Sequence, residues 1–161
     1  MNLEKKLKCN IRIDYLFCFC RNFDLSSAVW VLYMGWRGLP LWQIGIAEGM
    51  FHVTSFLFEV PSGALADLAG RKNVMIWGRV LAAVSSVILL FSTDLWQFLI
   101  GFSISAVSYN LNSGSEEALV YDSMKMLGEE KDYIRVNGRL NVLIEVASGI
   151  AVFLGGVLAE R

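Results

Sequence analysis

The stretch Leu95-Trp-Gln-Phe-Leu-Ile-Gly-Phe-Ser-Ile-Ser-Ala-Val-Ser-Tyr-Asn-Leu-Asn-Ser-Gly-Ser115 runs for 21 residues without a charged side chain. At 1.5 Å of rise per residue, roughly 20 residues of helix cross a hydrocarbon layer of about 30 Å. Other segments repeat the pattern: Val74 to Thr93 contains only Arg79, and Leu140 to Ala159 only Glu145. Of the 161 residues, 55% are apolar and 18% are charged, where soluble domains carry about a quarter charged residues. Lipid is the solvent that suits this composition. The fold class it predicts is an all-α membrane protein, a polytopic helical bundle of about five transmembrane helices.

Working outward from that stretch, spans are expected at about 13–36, 41–68, 73–92, 95–122 and 134–160, with the fourth helix continuing past the bilayer towards Leu127. Turn residues separate them: Gly38, Leu39 and Pro40, then Gly70, Arg71 and Lys72, then Thr93 and Asp94, with Asp94 as a helix N-cap. A charged connection, Gly128 to Arg139, precedes the fifth. The short connections make successive helices antiparallel neighbours. The basic residues Lys5, Lys6 and Lys8 ahead of an apolar run resemble a signal peptide, but the run carries Arg21 and Asp24 and continues to Trp36. It is read as a retained first span. Eleven lysines and arginines fall on one side of this topology and only Arg37 and Arg161 on the other, which places the N-terminus in the cytoplasm of a cell membrane. Trp36, Trp42 and Trp96 then fall near the outer interface, where indole rings favour the headgroup layer.

Several function classes are poorly served by these residues. A net charge of −1 with no basic stripe gives no support to nucleic-acid binding. Cys9, Cys18 and Cys20 are an odd count with no histidine beside them, so neither disulfides nor a metal site is predicted, and they are read as small hydrophobes. No span presents a metal cluster or a Ser/His/Asp set, and His52 is the sole histidine; an enzyme is not expected, and no cofactor is.

The charges inside the spans carry more information. An Asp or Arg at a helix centre costs about 2.5 to 3.5 kcal/mol on insertion scales, against about 0.3 to 0.6 returned by each Leu or Phe. Such groups face a partner or a wet cavity. The chain places Arg21 and Asp24 in the first span, Glu48 and Glu59 in the second, Glu116 and Glu117 in the fourth and Glu145 in the fifth. At 100° per residue, Glu48, His52, Ser55 and Glu59 fall within about 60° of one another. Tyr109, Asn112, Ser113 and Glu116 share a face of the fourth span, and Asn137, Asn141, Glu145 and Ser148 one of the fifth. A shared hydrated interior accounts for all three polar edges. Arg21, Asp24, Glu48, Glu59, Glu116 and Glu145 are the candidate cavity or proton-coupling residues. Open alternatives are an i, i+3 pair between Arg21 and Asp24, a packing role for His52, and headgroup contact for Glu48 and Glu59. Gly45 and Gly49 form a small-xxx-small pair suited to close helix contact.

Between the second and third spans lies Gly63-Ala-Leu-Ala-Asp67-Leu-Ala-Gly70-Arg71-Lys72. This segment resembles the signature loop of the major facilitator superfamily, G-x-L-A-D-R-x-G-R-K, at the expected topological place. The departure is Leu68, where the family carries a basic residue. Glu59-Val-Pro61-Ser-Gly63, Glu117-Ala-Leu-Val-Tyr121-Asp122-Ser and Gly138-Arg139 look like a drug-transporter-like branch, and the resemblance covers the whole chain. In physical terms, Gly63 is expected to admit close helix approach, Gly70 to give the turn its freedom, and Asp67 with Arg71 to form a pair that is made or broken as helices shift.

The resemblance implies that Gly63, Asp67, Gly70, Arg71 and Lys72, with Asp122 on the fourth helix, form a conformational lock for the outward-facing state. It also implies movement of a small solute by alternating access, coupled to protons through an intramembrane carboxylate. Each six-helix half in this family consists of inverted three-helix repeats, and Gly63-Ala-Leu-Ala-Asp67 recurs faintly as Gly156-Val-Leu-Ala-Glu160. Gly155 and Gly156 are similar to an antiporter glycine motif, without its proline. With five expected spans and no second half, the chain is expected to be part of an N-terminal domain, inactive alone and completed by missing C-terminal helices or a partner subunit. A non-transporting membrane subunit and a small self-assembling carrier remain the alternatives.

Overall fold

A computed structural model describes residues 13–159 except 14, 17 and 21. Residues in 13–22 are helical where described, followed by a 3-10 turn at Leu25–Ala28 and then five α-helices: α1 (Trp30–Trp36), α2 (Leu41–Ala69), α3 (Arg71–Phe91), α4 (Leu95–Leu127) and α5 (Tyr133–Ala159). A second 3-10 turn, Glu130–Asp132, leads into α5. No strand occurs among the described residues. By length and apolar composition alone, Arg71–Phe91 and Glu130–Ala159 are able to cross a membrane. Helices α2 and α4 are also long enough, but glutamates and serines, with asparagines in α4, dilute their apolar character.

The helix expected without interruption over 13–36 is broken. Asp24 is extended at φ −103° and ψ 104°, and its carboxylate accepts from the Ser26 amide at 2.9 Å and the Ser26 hydroxyl at 2.7 Å. The Ser27 hydroxyl donates to the Asp24 carbonyl at 2.7 Å. Asp and Ser side chains that satisfy nearby backbone groups compete with helix continuation, and here they win. Asp24 therefore works as a local cap, and its side chain is exposed. Arg21 lies outside the described residues.

Two compact units divide the chain: Met1–Leu32 with Val120–Arg161, and Tyr33–Leu119. In the first, buried Cys18, Val120, Met124 and Leu140 form the core, flanked by Tyr15, Tyr133, Val136 and Ile144. The Tyr15 hydroxyl donates to the Val136 carbonyl at 3.3 Å, and the rings of Tyr121 and Tyr133 meet edge-on at 5.2 Å. Cys18 thus packs as a hydrophobe, while Cys20 is exposed.

The second unit is held by small and polar residues. Where lipid is as apolar as leucine, helices associate through close packing and hydrogen bonds. Ala66, Val74 and Leu111 join α2, α3 and α4. The Ser108 hydroxyl donates to the Gly78 carbonyl at 2.8 Å and the Ser85 hydroxyl to the Gly101 carbonyl at 2.9 Å, tying α3 to α4 at two levels. A side chain at position 78 has no room: a Cβ there would stand 2.3 Å from Asn112 Nδ2. Gly70, at φ +83°, both ends α2 and starts α3, with its carbonyl accepting from the Asn73 and Val74 amides. Other residue types are strained there.

At the opposite end of α3, α1 supplies a clasp. The Tyr33 hydroxyl donates to the Leu90 carbonyl at 2.6 Å, and Arg37 Nη2 donates to the same carbonyl at 2.8 Å. The guanidinium lies 5.1 Å from the Tyr33 ring centre and donates to its hydroxyl oxygen. A cation on the unsatisfied carbonyls of a helix C-terminus is favourable. At the start of α4, Asp94 occupies the N-cap position, its carbonyl accepting from Gln97 and Phe98, while the Gln97 side chain reaches back to accept from the Thr93 amide at 2.8 Å.

Candidate functional site

Helix α4 carries two polar rows one residue apart, and they face different neighbours. Ser108, Asn112 and Glu116, each four residues on, turn towards α3. Glu116 is only 5% exposed, and its Oε2 lies 3.9 Å from Nη2 of Arg79 on α3. Asn112 is 3% exposed; its Nδ2 donates to the Ser108 carbonyl at 2.7 Å, and its Oδ1 has no hydrogen-bond partner among the described residues.

The second row, Tyr109, Ser113 and Glu117, turns towards α2. Between the two helices lies an open cleft of about 420 Å³, walled on the α2 side by Ser55, Glu59, Ser62 and Gly63, and on the α4 side by Asn110 and Gly114 with that row. Buried Asn110 fixes its geometry: Ser55 Oγ donates to Asn110 Oδ1 at 2.9 Å, and Asn110 Nδ2 donates to the Ser55 carbonyl at 2.5 Å. Pro61 cannot donate to the helix ladder. One residue on, the Ser62 hydroxyl donates to the Glu59 carbonyl at 2.8 Å.

The expected site residues therefore separate. Glu59 lines the cleft and Glu116 the α3–α4 seam. Glu48 and Glu145 are exposed, the former outside the cleft lining, and exposed His52 meets the Phe51 ring edge-on at 5.5 Å. In the loop, Arg71 donates to the Ala118 carbonyl of α4. Asp67 and Lys72 are exposed and Asp122 is half-buried. Leu68, at the position of the family's basic residue, is 87% exposed. Gly63 does not mediate close helix packing among the described residues: no atom lies within 4 Å of where its Cβ would stand, and the same holds for Gly45 and Gly49. Close approach occurs at Gly78 instead. Arg79, Asn110 and Glu117 are the site residues that sequence reasoning passed over. In the sequence Arg79 counts towards the positive-inside bias, and Glu117 sits about 100° round the helix from Glu116. Among the described residues no group of His, Cys, Asp and Glu is arranged to hold a metal.

The major facilitator superfamily model matches residues 16–161. The inner membrane transport protein YajR of Escherichia coli (strain K12) is 28% identical over 128 residues, covering 80% of this chain and 27% of its own length. The class H tetracycline resistance protein of Pasteurella multocida is 27% identical over 116 residues, 72% of this chain and 28% of its own length. The uncharacterized MFS-type transporter MJ1560 of Methanocaldococcus jannaschii is 22% identical over 157 residues, 96% of this chain and 40% of its own. The chain spans well under half the length of these curated relatives. No solved structure matches significantly. With a signature loop on the α2–α3 turn and a family match that runs from the first helix through α5, the chain belongs to the major facilitator superfamily of membrane transporters.

Proposed function

We propose that this chain forms the first five helices of a multi-pass carrier in the cell or inner membrane, its N-terminus cytoplasmic, that moves a small solute by alternating access with proton coupling at Glu116. The transport unit is completed by further helices of the same protein or by a partner subunit, and the chain alone does not transport. The observation that carries this reading is Glu116, 5% exposed on α4 and 3.9 Å from Arg79. Taking up a proton there changes the charge of a tightly packed α3–α4 seam by one. In a medium with few competing partners such a change biases helix arrangement strongly. The loop of Gly63, Asp67, Gly70, Arg71 and Lys72 acts as the lock that the solute-loaded carrier releases. Support comes from the Arg71 guanidinium, which ties the start of α3 to α4 through Ala118.

The test uses everted vesicles containing the full transport unit, with tetracycline as the probe solute because one relative is a tetracycline resistance protein. An imposed pH gradient is expected to drive tetracycline accumulation. Glu116→Gln is expected to abolish gradient-driven accumulation while sparing tetracycline exchange down its own gradient. A Glu116→Gln variant that still accumulates tetracycline against its gradient would sink the coupling assignment.

A further inference from the structure

The α2–α4 cleft has a lining that selects for charge. Its side chains include the carboxylates of Glu59 and Glu117, three serine hydroxyls and the phenol of Tyr109, with no lysine, arginine, histidine or aliphatic residue among them. Three of the lining donors are already engaged: Asn110 Nδ2 donates to the Ser55 carbonyl and the Ser55 hydroxyl to Asn110 Oδ1, and the Ser62 hydroxyl donates to the Glu59 carbonyl. What remains to meet an occupant is the two carboxylates and the hydroxyls of Tyr109 and Ser113, which accept as well as donate. Neither carboxylate makes a hydrogen bond or ion pair among the described residues. An anion is repelled by two carboxylates, and a neutral apolar molecule would strip water from them without return. A cation with N–H donors supplies both charge and hydrogen bonds, and charge-assisted bonds are about twice as strong as neutral ones. The Tyr109 ring, 54% exposed, offers a face to the same cation. Gly63 and Gly114 leave the floor open, with nothing within 4 Å of either absent Cβ, and about 420 Å³ falls in the range of small-molecule sites.

We propose that this cleft binds an organic cation carrying N–H donors, an amine or amidinium, between Glu59 and Glu117. The assignment rests on the carrier function proposed above and names its substrate class.

The experiment uses the full transport unit in nanodiscs and the fluorescence anisotropy of ethidium, a planar cation with two aromatic amines; fluorescein is the anionic counterpart. Ethidium is expected to bind, more weakly as salt rises, and fluorescein is not. Glu59→Gln and Glu117→Gln are each expected to weaken ethidium binding about tenfold. Gly114→Leu, which fills the floor while leaving both carboxylates and raising helix propensity, is expected to weaken it as well. No ethidium binding, binding insensitive to both glutamine variants, or equal binding of fluorescein overturns the assignment, the first of these including the case in which another segment of the transporter fills the cleft. Proton-driven flux with carboxylate-independent ethidium binding removes this site and leaves the carrier reading intact. Carboxylate-dependent binding without proton-driven flux does the reverse.

Discussion

Replacing Gly78 by alanine tests the α3–α4 seam. An added Cβ would stand 2.3 Å from Nδ2, 2.8 Å from Cγ and 3.0 Å from Oδ1 of Asn112. The obstacle is a side chain and not backbone, so it moves. Moving breaks the 2.7 Å bond to the Ser108 carbonyl and displaces an amide that is 3% exposed. A typical intramolecular hydrogen bond contributes about 0.5 to 1.5 kcal/mol net, and overpacking a well-filled interface costs about 1 to 3 kcal/mol. Alanine's better helix propensity returns at most about 1 kcal/mol. The net expectation is a loss of roughly 1 to 3 kcal/mol in the unfolding free energy, read by circular dichroism as purified protein is titrated with SDS in mixed micelles. Asn112→Ala removes the obstacle, so the double variant should be more stable than the sum of the two single changes predicts, by more than the roughly 0.5 kcal/mol scatter of independent sites. Additive single changes, or a Gly78→Ala protein as stable as the parent, would refute the steric account.

Gly70→Ala forces a side chain into φ +83° and ψ 131°, and should cost about 1 to 3 kcal/mol, seen as a lower SDS midpoint and faster proteolysis at the α2–α3 turn. Arg37→Ala removes one of two donors to the Leu90 carbonyl at an exposed site. A loss of about 0.5 to 1 kcal/mol is expected, with faster amide exchange confined to the last turn of α3 and partial recovery in Arg37→Lys.

Much of the secondary structure was legible because charge-free runs bounded by glycine and charged turns leave few ways to place a helix. The break after Phe23 is hidden in the sequence because Asp24 fits two roles at once, a charge at membrane depth and, in Asp24-Leu-Ser-Ser27, a cap that ends the helix. The site was legible only in part. A helical wheel identifies Tyr109, Asn112, Ser113 and Glu116 as one polar arc, but it does not say where one neighbour ends and the next begins. The boundary falls inside that arc, sending Asn112 and Glu116 to α3 and Tyr109 and Ser113 to the cleft. Gly63 and Gly78 make the same point in reverse. Small residues permit close approach, and only the packing decides which permission is used.

The interlock at Gly78 and Asn112 also constrains how this protein can change over generations. A larger residue at 78 is tolerated only after 112 has shrunk, and a shrunken 112 leaves a void that a larger 78 then fills. The two positions are thus expected to change together, each single step passing through a less stable intermediate.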